Sequence, residues 1–268
     1  GTSWPGARFQ LALERYSVRH GDFVLPVSAE RVAHYRAAFG VDATRIGALV
    51  SGISMPEQPD GDPAPPPAGR SVTILYIGRV ELRKGCDVLF EALKIVHRRQ
   101  PSARVVMVGP IADDMQAAFA AFLEATTPWV RYLGAVPQEQ VLNHLRQGDM
   151  IVLPSRFETL PRILMEALAA GVPQIASSAN GIPEIVEDGV TGLIVDPMTP
   201  EALAEAMVRL GACPDLRASM ARRSRERALA RFDIDAVMET QVQVYEALAT
   251  GEPPLKVLVA SPLPALES

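Results

Sequence analysis

The sequence predicts an α/β protein built on a doubly wound parallel sheet, and three observations predict it. From residue 71 onward, short aliphatic runs alternate with longer segments whose apolar residues recur at helical spacing, the order expected of parallel strands joined by helices on both faces. One run, Met150-Ile151-Val152-Leu153, contains no polar residue, as a strand covered on both sides requires. The third observation is bulk: 268 residues, 48% of them hydrophobic, can bury one or two cores of this class.

Taken in order, residues 1–20 hold a helix through Phe9, Leu11, Leu13 and Tyr16. Asp22 to Ser28 reads as a strand ending at a helix cap, with Ser28 capping Ala29 to Phe39, and a short strand around Ile46 to Val50 leads into Ser51-Gly52-Ile53-Ser54. Residues 55–70 are rich in proline and lack a core pattern, which marks a linker and a domain boundary; a proline-rich interaction motif is the second reading. The alternating region then gives strands at Ser71 to Ile77, Arg104 to Val108, Val130 to Leu133, Met150 to Leu153, Gln174 to Ala176 and Leu193 to Val195. Between them, Asp87 is expected to cap a helix carrying Val88, Leu89, Ala92, Leu93 and Val96, and further helices cover Asp113 to Ala125 and Pro137 to Gln147. Another runs from about Pro161 to Gly171, since proline suits a first helical turn and glycine the residue just past the end. Beyond Pro200 the chain reads as helices over Glu201 to Leu210, Asp215 to Ala230 and Ile234 to Ala249. Leu255 to Pro262 is a β-branched run that reads as a strand, either pairing locally or opening a further domain. The expected divisions are 1–54, 55–70, 71–232, 233–250 and 251–268.

A net charge of −5 argues against non-specific nucleic-acid binding, so a phosphate site would have to rest on a few local cations. Cys86 and Cys213 form no metal or disulfide spacing and fit a reducing compartment. His20, His34, His97 and His144 lack partner spacing and read as surface residues. Without an apolar run near the ~20 residues that span a bilayer, or a secretory pattern, the expectation is a cytoplasmic protein. Arg222, Arg223, Arg225 and Arg227 read first as a solvated helix face and second as a contact for anionic lipid or acceptor, hence peripheral membrane association. The chain starts at Gly1 and reads as a piece of a longer polypeptide.

Two stretches carry candidate chemistry. Gly78-Arg79-Val80-Glu81-Leu82-Arg83-Lys84-Gly85 follows the first strand directly, where open α/β sheets place ligands, and Arg79 and Lys84 bracket a turn. It is not a Walker loop, because no Gly-Lys-Ser/Thr follows. Around the helix expected from Pro161, Glu158 lies in the preceding loop and Glu166 about five residues inside, so the carboxylates are separated by roughly 8 Å of axial rise and do not face each other. The helix start between them offers unpaired N–H groups and the positive end of the macrodipole, a ready site for phosphate.

Glu158 and Glu166, with Phe157, Ala167, Gly171 and Pro173 around them, resemble the Glu-x7-Glu element of retaining GT-B glycosyltransferases, family four or glycosyl transferase group 1. The resemblance implies a Rossmann-like C-terminal, donor-binding domain with a remnant of the N-terminal domain before it. It further implies that Arg79 and Lys84 neutralise a donor diphosphate, that Glu166 holds the ribose hydroxyls, and that Glu158 lies near the transferred sugar. Gly78 belongs to the same loop, and Val136, in Val130 to Val136, would touch the base through its backbone. Thr159-Leu160-Pro161 departs from the family's phosphate loop; Pro161 cannot donate an N–H, so Arg162 and Ile163 would have to serve the diphosphate. Ser51-Gly52-Ile53-Ser54 departs from the usual Asn-Gly-Ile-Asp turn. Asn180 to Val186 and Asp188 to Gly192 match the next family segment and read as structural, Gly189 and Gly192 in tight turns and Glu184 capping or bridging.

The function implied is transfer of a sugar from a nucleoside-diphosphate donor to a carbohydrate, lipid or small-molecule acceptor, with retention, without metal or other cofactor, and in polysaccharide biosynthesis. Acceptor residues would belong to an N-terminal domain in cis, so this chain alone is expected to bind donor and transfer nothing. The alternatives are a non-catalytic nucleotide-sugar-binding module and a sugar-nucleotide epimerase-like GT-B protein.

Overall fold

The computed structural model describes residues 5–56, 71–196 and 198–260; most of the expected linker and the end of the tail lie outside them. The chain divides into two compact units, residues 55–229 and residues 1–54 with 230–268.

Within the larger unit, strands β1 (Thr73–Ile77), β2 (Arg104–Val108), β3 (Val130–Tyr132), β4 (Met150–Leu153), β5 (Gln174–Ser177) and β6 (Gly192–Val195) form one sheet in the order β3-β2-β1-β4-β5-β6. Every pairing is parallel. This is the Rossmann order, the doubly wound architecture expected. Centrally placed β4 is buried at all four residues, consistent with its unbroken apolar run.

Numbered through the whole chain, the helices are α1 (Pro5–His20), α2 (Ala29–Phe39), α3 (Cys86–Arg99), α4 (Gln116–Thr126), α5 (Gln138–Gln147), α6 (Arg162–Ala170), α7 (Ile182–Ile185), α8 (Pro200–Ala212), α9 (Pro214–Phe232), α10 (Ile234–Thr250) and α11 (Pro254–Ala260). Leu89, Leu93 and Val96 of α3 bury their faces with Leu203, Met207 and Leu210 of α8 in one core with β1 and β4. Full burial of such a side chain contributes about 1.5–3 kcal/mol. On the other side of α3, Phe90 stacks on Phe122 with centroids 4.3 Å apart. Among the described residues no helix is long and apolar enough to cross a membrane.

Asp87 does not cap α3. The helix is entered from Gly85 in the left-handed region, φ +69°, and Asp87 lies in the first turn, where its side chain is engaged elsewhere. Gly192 opens β6 rather than a turn; a Cβ there would lie 2.2 Å from the Gln174 carbonyl oxygen, so the strands meet too closely for a side chain. Gly189 does sit in a turn, at φ +74°. Of the α9 arginines, Arg222 and Arg223 are exposed. Arg227 instead points inward, donating to the carbonyls of Ile185 and Glu184 at 2.8 and 3.0 Å at the end of α7 and pairing with Glu187. Arg225 lies against the end of α6, where a Cβ on Gly171 would be 2.1 Å from its Nη1.

In the smaller unit the expected strands at 22–28 and 46–50 reduce to a bridge between Val24 and Ile46. Pro26 has no N–H to extend the ladder and contributes only its carbonyl, which accepts from Leu49 at 2.9 Å. Ser28 caps α2, accepting from the Arg31 N–H at 3.2 Å. The strand expected at 255–262 is helix α11 as far as Ala260. Pro254 fits a first helical turn, and Leu255 and Leu258 share a face that closes over Gly47, a packing gain that overrides the β preference of Val257. The α10 helix, capped by Asp233 on the N–H groups of Asp235 and Ala236, belongs to this unit.

Candidate active site

Connections leave β1 toward β2 and leave β4 toward β5, in opposite directions across the sheet. The loops after these neighbouring strands therefore part at their C-terminal ends and open a crevice. The 78–85 loop comes from β1 and the 154–161 loop from β4.

Backbone contacts fix both loops. Val80 is fully buried, its N–H donating to Pro110 and its carbonyl accepting from Ala112, at 2.8 and 2.9 Å. Leu82–Lys84 form a single 3-10 turn that ends at Gly85. A Cβ on Gly85 would lie 2.0 Å from the Pro154 carbonyl oxygen, so glycine alone lets the two loops touch. Arg156 then laces them together. Its N–H donates to Arg83 at 2.8 Å, and its guanidinium donates to the Leu82 carbonyl and takes both oxygens of Asp87 at 2.7 Å. Farther along, Gly181 packs so tightly on the Thr159 carbonyl that a Cβ would be 1.7 Å from its oxygen.

This framework brings Lys84 and Glu158 together. The ammonium donates to Glu158 Oε1, and the Ser155 hydroxyl donates to the same oxygen at 2.8 Å. Glu158 is 6% exposed and buried apart from its cationic partner and one hydroxyl. The second carboxylate is held separately: Glu166 Oε1 accepts from Arg162 Nε at 2.8 Å and from Gln138 Nε2 at 2.9 Å. Gln138 opens α5, two residues beyond Val136, in the loop that β3 delivers. Among the described residues the first N–H groups of α6, on Arg162 and Ile163, have no backbone partner, while that of Leu164 reaches Pro161 at 3.0 Å. Arg79 is exposed beside Gly78, and no ion pair joins it to either glutamate among the described residues. No hydrogen bond links Glu158 to Glu166 there either, as the axial separation anticipates.

The arrangement holds one acid neutralised by lysine, a second acid presented by a helix, and free N–H groups between them, which suits a ligand with an anionic middle and hydroxyl-bearing ends. Among the described residues no group of three or more His, Cys, Asp or Glu could hold a metal ion. Sequence reasoning missed Arg156, Gln138 and the role of Asp87, because each acts on a residue distant in the chain, and it missed Ser155, which lies only three residues from Glu158 but belongs to no pattern of its own.

The family model for glycosyl transferases group 1 matches residues 61–227. The chain belongs to that family. As a group 1 chain it is 30% identical over 245 residues to glycogen synthase of Mycobacterium tuberculosis, covering 90% of this chain and 58% of that protein. D-inositol 3-phosphate glycosyltransferase of Segniliparus rotundus is 25% identical over 255 residues, 90% of this chain and 56% of its own length. The chain thus spans little more than half of these curated relatives. In fold it resembles sucrose-phosphate synthase from Thermosynechococcus elongatus, with TM-score 0.77 and 23% identity over 94% of this chain and 65% of that one. It also resembles Anabaena HepE, solved with UDP and glucose, with TM-score 0.74 and 20% identity over 92% and 68%.

In this group 1 chain the Arg156–Asp87 pair yields a prediction. Hydrogen bonding from the Arg156 guanidinium holds the Asp87 carboxyl below the ordinary carboxylate range, and Asp87 in turn raises Arg156. A depressed carboxyl stabilises the fold above its unfolded pKa and loses that contribution as pH falls through the folded value. Asp87→Asn is expected to cost no more than about 1 kcal/mol at neutral pH, because both side chains are nearly half exposed. Urea midpoints of wild type and variant should converge in strong acid; a constant gap down to that range would contradict the pairing.

Proposed function

We propose that this chain is the donor-binding half of a retaining, metal-independent glycosyltransferase that moves a sugar from a nucleoside diphosphate to a carbohydrate, lipid or small-molecule acceptor. The observation that supports it most is Lys84 against Glu158 beside the open N-terminus of α6, with Glu166 on the same helix. In this reading Arg79, Lys84 and the N–H groups of Arg162 and Ile163 meet the diphosphate. Negative charge grows there as the glycosidic bond breaks, so fixed positive groups favour the transition state over the bound donor. Glu158, released from Lys84 when phosphate takes that ammonium, faces the sugar and stabilises the positive charge developing on its ring. Glu166 accepts from the ribose hydroxyls, and the backbone near Val136 borders the base. The cationic side chains and helix dipole supply the neutralisation that a divalent ion would otherwise give, and the acceptor meets residues of an N-terminal domain.

A fold neighbour, HepE, was solved with UDP, which makes UDP the first probe. Calorimetry on this chain is expected to register UDP or GDP binding that persists in EDTA and weakens about ten-fold in Glu166→Ala. Absence of heat with both nucleotides would sink the proposal, and dependence on a divalent ion would sink its metal-independent part.

A further inference from the structure

Beneath the 78–85 loop a continuous polar chain runs through the core. Tyr76, next to last in β1, and Cys86, first in α3, are 1% and 0% exposed. The Cys86 thiol donates to the Tyr76 hydroxyl oxygen at 3.1 Å, and that hydroxyl donates to the Arg79 carbonyl at 2.6 Å. The Arg79 carbonyl, just before the buried Val80, is therefore held from below by side chains rooted in a strand and a helix.

Packing alone does not call for these polar groups. Phenylalanine would fill the Tyr76 space, and a phenol buried without partners costs about 1–3 kcal/mol. Here the hydroxyl is satisfied as donor and acceptor, and the thiol as donor. Burial pushes both groups up, so both remain protonated and able to donate.

We propose that Tyr76 and Cys86 are positioning residues for the diphosphate: they pre-set the backbone at Arg79, so that Arg79 and Lys84 flank the anion without first having to order the loop. The inference rests on the donor-binding reading above. Loop ordering deferred to the moment of binding subtracts directly from affinity.

The test uses Tyr76→Phe, Cys86→Ala and Cys86→Ser in this chain, with UDP and uridine as probes. Tyr76→Phe and Cys86→Ala should weaken UDP binding about five- to ten-fold while leaving uridine within two-fold, and Cys86→Ser, which keeps a donor and acceptor, should recover part of the loss. In the free chain, amide hydrogen exchange over residues 79–84 should quicken in the first two variants. Equal losses for UDP and uridine would mark a general packing defect and overturn the proposal, as would unchanged affinity and exchange. If Tyr76→Phe fails to fold, the two Cys86 variants decide. Wild-type chain that binds neither UDP nor GDP refutes the donor reading, whereas normal wild-type binding with unaffected variants refutes only the positioning role.

Discussion

Lys84→Met is expected to destabilise the chain by about 3–5 kcal/mol, the cost typical of leaving a buried charge without its partner. Glu158 is 6% exposed, and without the ammonium only the Ser155 hydroxyl remains on the oxygen that Lys84 contacted. Glu158→Gln should cost less, about 1–2 kcal/mol, because it removes the charge and leaves a side chain that still accepts from Ser155. The Lys84 side chain is 15% exposed and can turn its ammonium to water along a flexible stem. The double variant should then be more stable than the sum of the two losses, with a coupling of about 1 kcal/mol or more. Urea unfolding of the four proteins measures it, and additive losses would show that the pair contributes nothing. On the donor-binding reading, Lys84→Met should also weaken UDP binding at least about ten-fold, since a group contacting phosphate is lost.

Gly85→Ala is the second large effect, an expected loss of about 3 kcal/mol or more and, on the donor-binding reading, of UDP binding as well. Two costs coincide. The residue sits at φ +69°, where an L side chain costs roughly 1–2 kcal/mol, and its Cβ would press to 2.0 Å from the Pro154 carbonyl oxygen. A rotamer change cannot relieve a backbone contact, so the 78–85 and 154–161 loops must separate, drawing Lys84 away from Glu158. Gly134→Ala is the matched control: φ is +72° there, but nothing lies within 4 Å of the added atom, so only the strain remains. Thermal unfolding and calorimetry on both variants separate strain from clash, and equal losses would mean the loops do not need their close approach.

The sheet was readable because its strands announce themselves. Met150 to Leu153 and Arg104 to Val108 fall where the apolar runs place them, and α6 stops at Gly171 as local backbone chemistry demands, while Pro161 is an extended cap just before the helix rather than part of its first turn. Local patterns fail where a distant partner decides. Asp87 looks like a cap because carboxylates often are, yet Arg156, far along the chain, claims both its oxygens. Leu255 to Val259 looks like a strand until Gly47 gives its leucines a surface to cover. In the candidate site the two glutamates drew attention through the family resemblance of the segment around them, their spacing alone being a weak signal. Gln138 beside Glu166 and the thiol under Arg79 carry no short-range signature, since each contact exists only once the sheet has gathered its loops.

The order of the strands also divides the site by how freely it can change. The Lys84 and Glu158 loops hang from β1 and β4, interior strands locked on both flanks, whereas the stretch holding Val136 hangs from β3, a border strand of only three residues. A substitution on the border disturbs few neighbours, while one in the middle shifts everything wound around it. On the donor-binding reading, preference for the nucleobase is therefore the trait with room to wander, and handling of the diphosphate is the one the architecture holds fixed.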